Sequence, residues 1–343
     1  MMATSMPFVV RTPDALEFGL VPWEMPMNLA AFHWSSLWNQ LRRRVPEERY
    51  HQGHGVTGAG SEDEGVLLTF ADGSRRHFDL VIFADGYRSL GRRLLFPDVD
   101  LRYRGYMLWR GLLPESQDAA AGTLGATVPR IAFTSGAGNL VMYFVPGQDG
   151  SCAPGERLVN WASYIELPSD EVDDFMVDRS GIRRDGAVPP GQLRPEVERE
   201  LKDQMVDVLP GLHARIIDTT SDTYVQLIYT ARVPAYALGR MCLIGDAGSV
   251  AQPFTGSGVF KGYNNVSGLV DALSTHSDLD SALTTWSNEQ VRVADRLLGL
   301  GEQMEQAFIW DPPDLTGADA TLTEAWWRES VSFPEDFTYS DDT

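Results

Sequence analysis

The chain has 343 residues, of which 43% are hydrophobic and 10% aromatic, enough for two domains with a sizeable core. Its net charge of −20 opposes nucleic-acid binding, which needs clustered cations; the short Arg42-Arg43-Arg44 run reads as the solvated end of a helix. No run of eighteen apolar residues and no basic stretch ahead of an apolar core is present, so neither a membrane-spanning helix nor a secretory leader is expected. Two cysteines, Cys152 and Cys242, argue against a disulfide scaffold and for a reducing, cytoplasmic setting.

Met1–Val10 opens the chain without a strand–Gly-x-Gly-x-x-Gly–helix unit. From Phe32 to Leu41 the spacing predicts a helix ended by Pro46, with Trp34, Leu37, Trp38 and Leu41 on one core-facing side. Gly53-His-Gly55-Val-Thr-Gly58 matches the glycine pattern literally, but turn-like residues follow it, so it joins two strands instead. Val66–Phe70, a turn at Ala71–Ser74 and a strand over His77–Phe83 form a hairpin that ends at Asp85-Gly86. Beyond Leu101 come strands at Tyr106–Leu113, Ile131–Phe133, Asn139–Val145 and Leu158–Tyr164, with a loop at Ala119–Gly125. Such a succession predicts an antiparallel sheet able to wall a pocket. Helices are expected over Asp170–Arg184 and Pro195–Leu209, and a strand over Tyr224–Tyr229. Leu283–Phe308 carries helical periodicity, with Val291, Ala294, Leu297, Leu298 and Met304 packing. The acidic tail Pro334–Thr343 is expected to be mobile.

Chemistry concentrates in two segments. Met241–Ile244 is a short apolar run that ends in Gly245-Asp246, followed by a loop holding Pro253, Gly256 and Gly258 and a helix over Val259–Leu273. Asp246 thus stands at a strand's carboxyl end, where α/β sheets place ligands, beside amides and a helix dipole that favour an anion. Upstream, Asp79–Phe83 runs into Asp85-Gly86-Tyr-Arg88-Ser89-Leu-Gly-Arg92-Arg93, whose arginines could supply cations to phosphate. Other chemistry is thin. His51 and His54 lack a third metal ligand, Ser249 and Ser257 lack a triad, and no Gly-x-x-x-x-Gly-Lys loop occurs.

The segment Gly239-Arg240-x-x-Leu243-Ile244-Gly245-Asp246-Ala247 with Pro253, Gly256 and Gly258 resembles the second flavin motif of the aromatic hydroxylases related to p-hydroxybenzoate hydroxylase. Asp85, Gly86, Ser89 and Arg92 resemble that family's Asp-Gly-x-x-Ser-x-x-Arg signature. Gly248 and Ser249 depart from its frequent Ala-His. The Tyr-x-x-Trp-Arg-Gly and Asn-Trp strings look closest to the 2,6-dihydroxypyridine hydroxylase branch. The resemblance implies an α/β fold: a Rossmann-like three-layer FAD domain incomplete at its front (1–100 and 231–275), an antiparallel β-sheet substrate domain (101–230), and a helical region with the tail (276–343). It also implies FAD with NAD(P)H as co-substrate, hydroxylation of a small aromatic or N-heteroaromatic ring through a flavin C4a-hydroperoxide, and a homodimer as one assembly. FAD contacts are expected from Asp85, Gly86, Arg92, Gly245, Asp246, Pro253, Gly256, Gly258 and Val259. Ring contacts are expected from Tyr106, Trp109, Arg110 and Tyr143, and no residue is assigned as catalytic. Lys261 either approaches the flavin or lies in solvent. The alternative is a truncated, non-catalytic remnant that binds a small molecule or partner.

Overall fold

A computed structural model describes residues 1–62, 65–136 and 138–331; the acidic tail lies outside them. In chain order the elements are β1 (Met2–Thr12), β2 (Ala15–Ala30), α1 (Trp34–Arg42), β3 (Val56–Glu62), β4 (Gly65–Phe70), β5 (Arg75–Phe78), β6 (Val81–Phe83), α2 (Leu90–Leu95), β7 (Arg102–Pro114), β8 (Arg130–Ala132), β9 (Gly138–Val145), β10 (Leu158–Glu166), α3 (Val172–Phe175), β11 (Ala187–Val188), α4 (Pro195–Val208), α5 (Gly211–Thr219), β12 (Tyr224–Thr230), β13 (Ala237–Leu238), β14 (Met241–Leu243), α6 (Gly258–Thr275), α7 (Leu279–Glu305) and α8 (Ala320–Ser330). They divide into two compact units. The first holds Met1–Val45, Gly105–Ile228 and the chain from Gln306 to the end of the described residues; the second holds Pro46–Arg104 and Tyr229–Glu305. Residues 1–45 therefore belong with the large sheet, although the sequence places them in a 1–100 segment.

The first unit is built on an eight-stranded mixed sheet, ordered β11-β12-β7-β10-β9-β8-β1-β2. Its centre is antiparallel, as expected, but β1 joins β8 in parallel. The β1–β2 hairpin is hidden in the sequence because Pro22 and Pro26 interrupt its second strand. Prolines are tolerated there because β2 is an edge strand with irregular register. Side chains alternate across the sheet. One face of β7 and β10 carries Trp109 and Trp161, fully buried and edge-to-face with centroids 4.9 Å apart. Trp161 Nε1 donates to Thr220 Oγ1 at 2.9 Å, just past α5, which ties the helices to this face. A side chain at Gly111 would collide with the Trp161 ring, so only glycine lets the indole lie there. At the other end α8 lays Trp326 and Trp327 against Phe8.

Two helix expectations fail in this unit. α1 forms where expected, yet none of its residues is buried, and Trp34 is 69% exposed; its aromatic stripe faces outward. Asp170–Arg184 holds only the single turn α3. The Asp178 carboxylate accepts from the amides of Ser180 (2.8 Å) and Ile182 (3.0 Å), closing a loop in place of a helix. Ala119–Leu124 is a 3-10 turn and α5 is not expected from the sequence, whereas α8 falls in the expected C-terminal helical region.

His213 on α5 is buried with no carboxylate partner among the described residues, and burial lowers its pKa from 6.5 to about 4. The unfolded chain takes up the proton near pH 6.5, the folded chain only near 4. Stability is therefore intact above 6.5 and lost as pH falls toward 4, by up to about 3 kcal/mol. In urea unfolding near neutrality and near pH 4.5, His213→Gln is expected to lose less stability on acidification than the parent. An equal loss would place the acid sensitivity elsewhere.

In the second unit, β3, β4 and β5 form one antiparallel sheet, while β13, β14 and β6 form another in which β14 and β6 are parallel. The expected strand over His77–Phe83 is split: Arg75–Phe78 serves the first sheet and Val81–Phe83 the second. Gly53–Gly58 runs into β3 rather than a helix. The core gathers Phe83, Tyr236, Cys242, Leu243, Leu269 and Trp286. Burial pushes the Cys242 thiol up to about 12, an inert packing group. α7 buries Ala294, Leu297, Leu298 and Met304 as expected.

Candidate functional site

In the second unit β6 and β14 lie side by side, with Met241 opposite Val81 and Leu243 opposite Phe83. Ile244 N donates to Phe83 O at 3.0 Å, so both strands release their loops at the same edge. The Asp85-Gly86 and Gly245-Asp246 turns therefore leave one sheet edge together. The chain makes this edge because short β-branched and apolar runs end abruptly in residues that break strands.

The first turn is held by its own side chains. Asp85 Oδ2 accepts from the amides of Leu90 (2.7 Å) and Gly91 (3.2 Å). Ser89 Oγ accepts from Arg92 N at 2.9 Å, capping α2. Gly86 O accepts from Ser89 N at 3.0 Å. Arg92 is only 2% exposed, and its guanidinium donates to Asp246 O (3.0 Å), Ala247 O (3.2 Å) and Tyr87 O. Arg92 is thus a strut between the two turns, not the phosphate-binding cation expected from the sequence. Arg93 likewise donates to Arg88 O, and Arg88 lies over the Tyr87 ring.

In the second turn Gly245 has φ +59, and its N–H donates to Asn265 Oδ1 at 2.8 Å. Asp246 Oδ1 accepts from Lys261 Nζ at 2.7 Å, and Lys261 also donates to Ser249 O. Lys261 is buried while the Asp246 side chain is 48% exposed. Of the two sequence alternatives for Lys261, solvent exposure does not hold: it is buried against Asp246 Oδ1 and leaves Oδ2 for another donor. The departure at Gly248 and Ser249 has a physical cause in Tyr236. A side chain at Gly248 would collide with the Tyr236 ring, and Tyr236 OH bonds Ser249 Oγ at 2.6 Å.

Beyond the turn, Pro253–Thr255 form a 3-10 turn that ends at Gly256 with φ +61. α6 then begins at Gly258 and Val259 with no side-chain cap and no acidic residue in its first turn, leaving its dipole unneutralised. A Cβ placed at Gly245, Gly256 or Gly258 meets no atom within 4 Å, so this backbone borders open space. Gln252, fully buried ahead of Pro253, donates to Glu305 Oε2 at 2.8 Å, and Arg104 grips the same carboxylate. Tyr236, Gln252 and Glu305 escape sequence reasoning because their partners lie 13 to more than 200 residues away.

In the first unit, Tyr106, Arg110 and Tyr143 share one face of the sheet. Arg110 lies 5.6 Å from the Tyr224 ring centre, and Tyr106 meets Trp310 edge-on. Burial raises the Tyr143 phenol above its ordinary pKa, opposed by Arg110. Trp109 is a correction: it points to the opposite face and packs on Trp161, so it cannot touch a ligand of the other three.

A family model described as FAD binding domain-like matches residues 103–230. The chain is 26% identical over 274 residues to 2,6-dihydroxypyridine 3-monooxygenase of Paenarthrobacter nicotinovorans, covering 79% of this chain and 67% of that protein. It is 26% identical over 242 residues to 3-amino-4-hydroxybenzoate 2-monooxygenase of Streptomyces cremeus, covering 70% of this chain and 52% of that protein. The chain thus spans between half and two thirds of these relatives. The solved 2,6-dihydroxypyridine-3-hydroxylase of Arthrobacter nicotinovorans superposes with a TM-score of 0.80 at 24% identity, covering 93% of this chain and 80% of that one. The chain is thus similar in sequence to aromatic monooxygenases and shares the fold of the solved 2,6-dihydroxypyridine-3-hydroxylase. A further relative, 27% identical over 250 residues, is the FAD-dependent monooxygenase sor5 of Hypocrea jecorina; no described helix is long and apolar enough to cross a membrane.

Proposed function

We propose that this protein is a flavin-dependent monooxygenase that hydroxylates a small aromatic or N-heteroaromatic ring. The observation that carries the reading is the shared edge of β6 and β14, where Asp85, Gly86, Gly245 and Asp246 leave the sheet beside the open start of α6. Asp246 Oδ2 would accept a hydroxyl of FAD. Gly256, Gly258 and Val259 would offer amides to its electron-rich end, and Pro253 would hold the loop that carries them. Arg92 would set the spacing of the turns rather than touch the cofactor. FAD, reduced by NAD(P)H, supplies the activation of O2 and the transfer of one oxygen atom to the ring. The protein's share is to orient the ring, through Tyr106, Arg110 and Tyr143, and to keep water from it. A cytoplasmic setting belongs to the same reading.

Titration with FAD tests it. The parent is expected to bind flavin and to oxidise NAD(P)H faster when an aromatic substrate is added. Asp246→Ala is expected to weaken FAD retention by about 1–3 kcal/mol, through loss of the hydroxyl acceptor. Asp246→Asn, which keeps an acceptor, is expected to lose less. Unchanged flavin affinity in Asp246→Ala would remove Asp246 from the site. A parent that never takes up flavin would favour the non-catalytic alternative.

A further inference from the structure

We infer that Arg130 and Asn139 form a subsite for one anionic oxygen, a carboxylate or ring oxyanion, of an aromatic ligand. The inference rests on reading this sheet face as the substrate platform. Arg130 on β8 is 9% exposed, and no carboxylate among the described residues pairs with it. Its Nη1 donates to Asn139 Oδ1 at 2.8 Å and its guanidinium lies 4.1 Å from the Phe308 ring centre, but its Nε has no acceptor. Asn139, 3% exposed, has its oxygen occupied by Arg130, and its Nδ2 donates to nothing. Two buried donors, one cationic, thus go unanswered. Each costs free energy unless an acceptor meets it, and the charge costs most.

Both side chains line a cavity of about 20 Å³ walled by Phe8, Phe308, Leu315 and Trp326. That volume holds one water-sized group, so a single acceptor atom enters rather than a whole ring. Burial lowers the Arg130 guanidinium only to about 10, so it stays charged at neutral pH. The position ties the cavity to the substrate face. Arg130 lies opposite Val141, Val141 opposite Ala162, and Ala162 opposite Arg110, one cross-strand row with an arginine at each end. Tyr143 stands two residues from Val141 on that same face. A free halide shares the required chemistry, one charged acceptor atom, and the test separates it from an aromatic anion.

Trp326 lines the cavity, so the intrinsic fluorescence of the whole chain reports occupancy. The probes are benzoate, its neutral analogue benzamide, and bromide. Benzoate is expected to bind at least about tenfold more tightly than benzamide, and to lose about tenfold in Arg130→Met. Asn139→Ala, which keeps the cation, is expected to lose about threefold and serves if Arg130→Met does not fold. Benzoate and benzamide binding alike to the parent would overturn the inference. So would benzoate binding unchanged in the variants, or bromide saturating the site without being displaced by benzoate. FAD titration of the same samples keeps the outcomes apart. Loss of flavin binding with benzoate selectivity intact would sink the hydroxylase reading alone; the reverse would sink the subsite alone.

Discussion

Arg92→Met is expected to lower the unfolding free energy by about 4 kcal/mol and to remove FAD retention in the same step. The guanidinium is almost fully enclosed and supplies donors to Tyr87, Asp246 and Ala247. Methionine fills the space but leaves those carbonyls without partners, and a carbonyl stripped of its donor away from water costs the full desolvation penalty. Burial pulls the Arg92 guanidinium below its ordinary pKa, with the Asp85 charge opposing, so the site holds this cation against a real cost. Arg92→Lys keeps charge but reaches fewer of the three oxygens at once, and an intermediate loss is expected. Urea unfolding and flavin titration on the same variants check both effects. Stability lost with flavin affinity unchanged would mean that the spacing of the turns does not matter for the cofactor.

Glu305→Leu is expected to cost about 3–5 kcal/mol, the usual result of deleting one partner of a buried ion pair. The Glu305 carboxylate is 1% exposed and holds two nitrogens of Arg104 and the amide of Gln252. Gln252 immediately precedes Pro253, so the loop entering α6 should loosen as well. The double variant Arg104→Met/Glu305→Leu should recover part of the loss, because neither charge is then stranded. Strict additivity of the two single variants in thermal unfolding would show that the pair is not coupled.

The strand ends were legible in the sequence because an apolar run broken by Asp-Gly or Gly-Asp leaves few alternatives. Asp85, Asp246 and α6 all stand where that pattern puts them. Arg92 was legible as a cation near the turns, but not as a strut, because its partners lie about 154 residues away. Lys261 has near partners, Asp246 and Ser249, 15 and 12 residues back, but sequence does not say that the intervening loop folds them onto it. α1 shows the limit of periodicity: Trp34, Trp38 and Leu41 have helical spacing, yet spacing does not say what the stripe faces. Asp178 defeated the helix expected across it by offering its carboxylate to local amides. Trp109 was avoidable, since a strand's alternation already separates it from Arg110. Asn139 and Arg130 escaped notice because an unanswered donor is a property of packing alone.

Tyr236 and Gly248 divide one small volume between them, the ring occupying what a methyl group would otherwise fill. A side chain at Gly248 would need a slimmer residue at 236, or the Tyr236 ring turned aside. Substitutions at these two positions should therefore be tolerated together better than singly. Neither position should drift alone without a penalty in expression or folding yield.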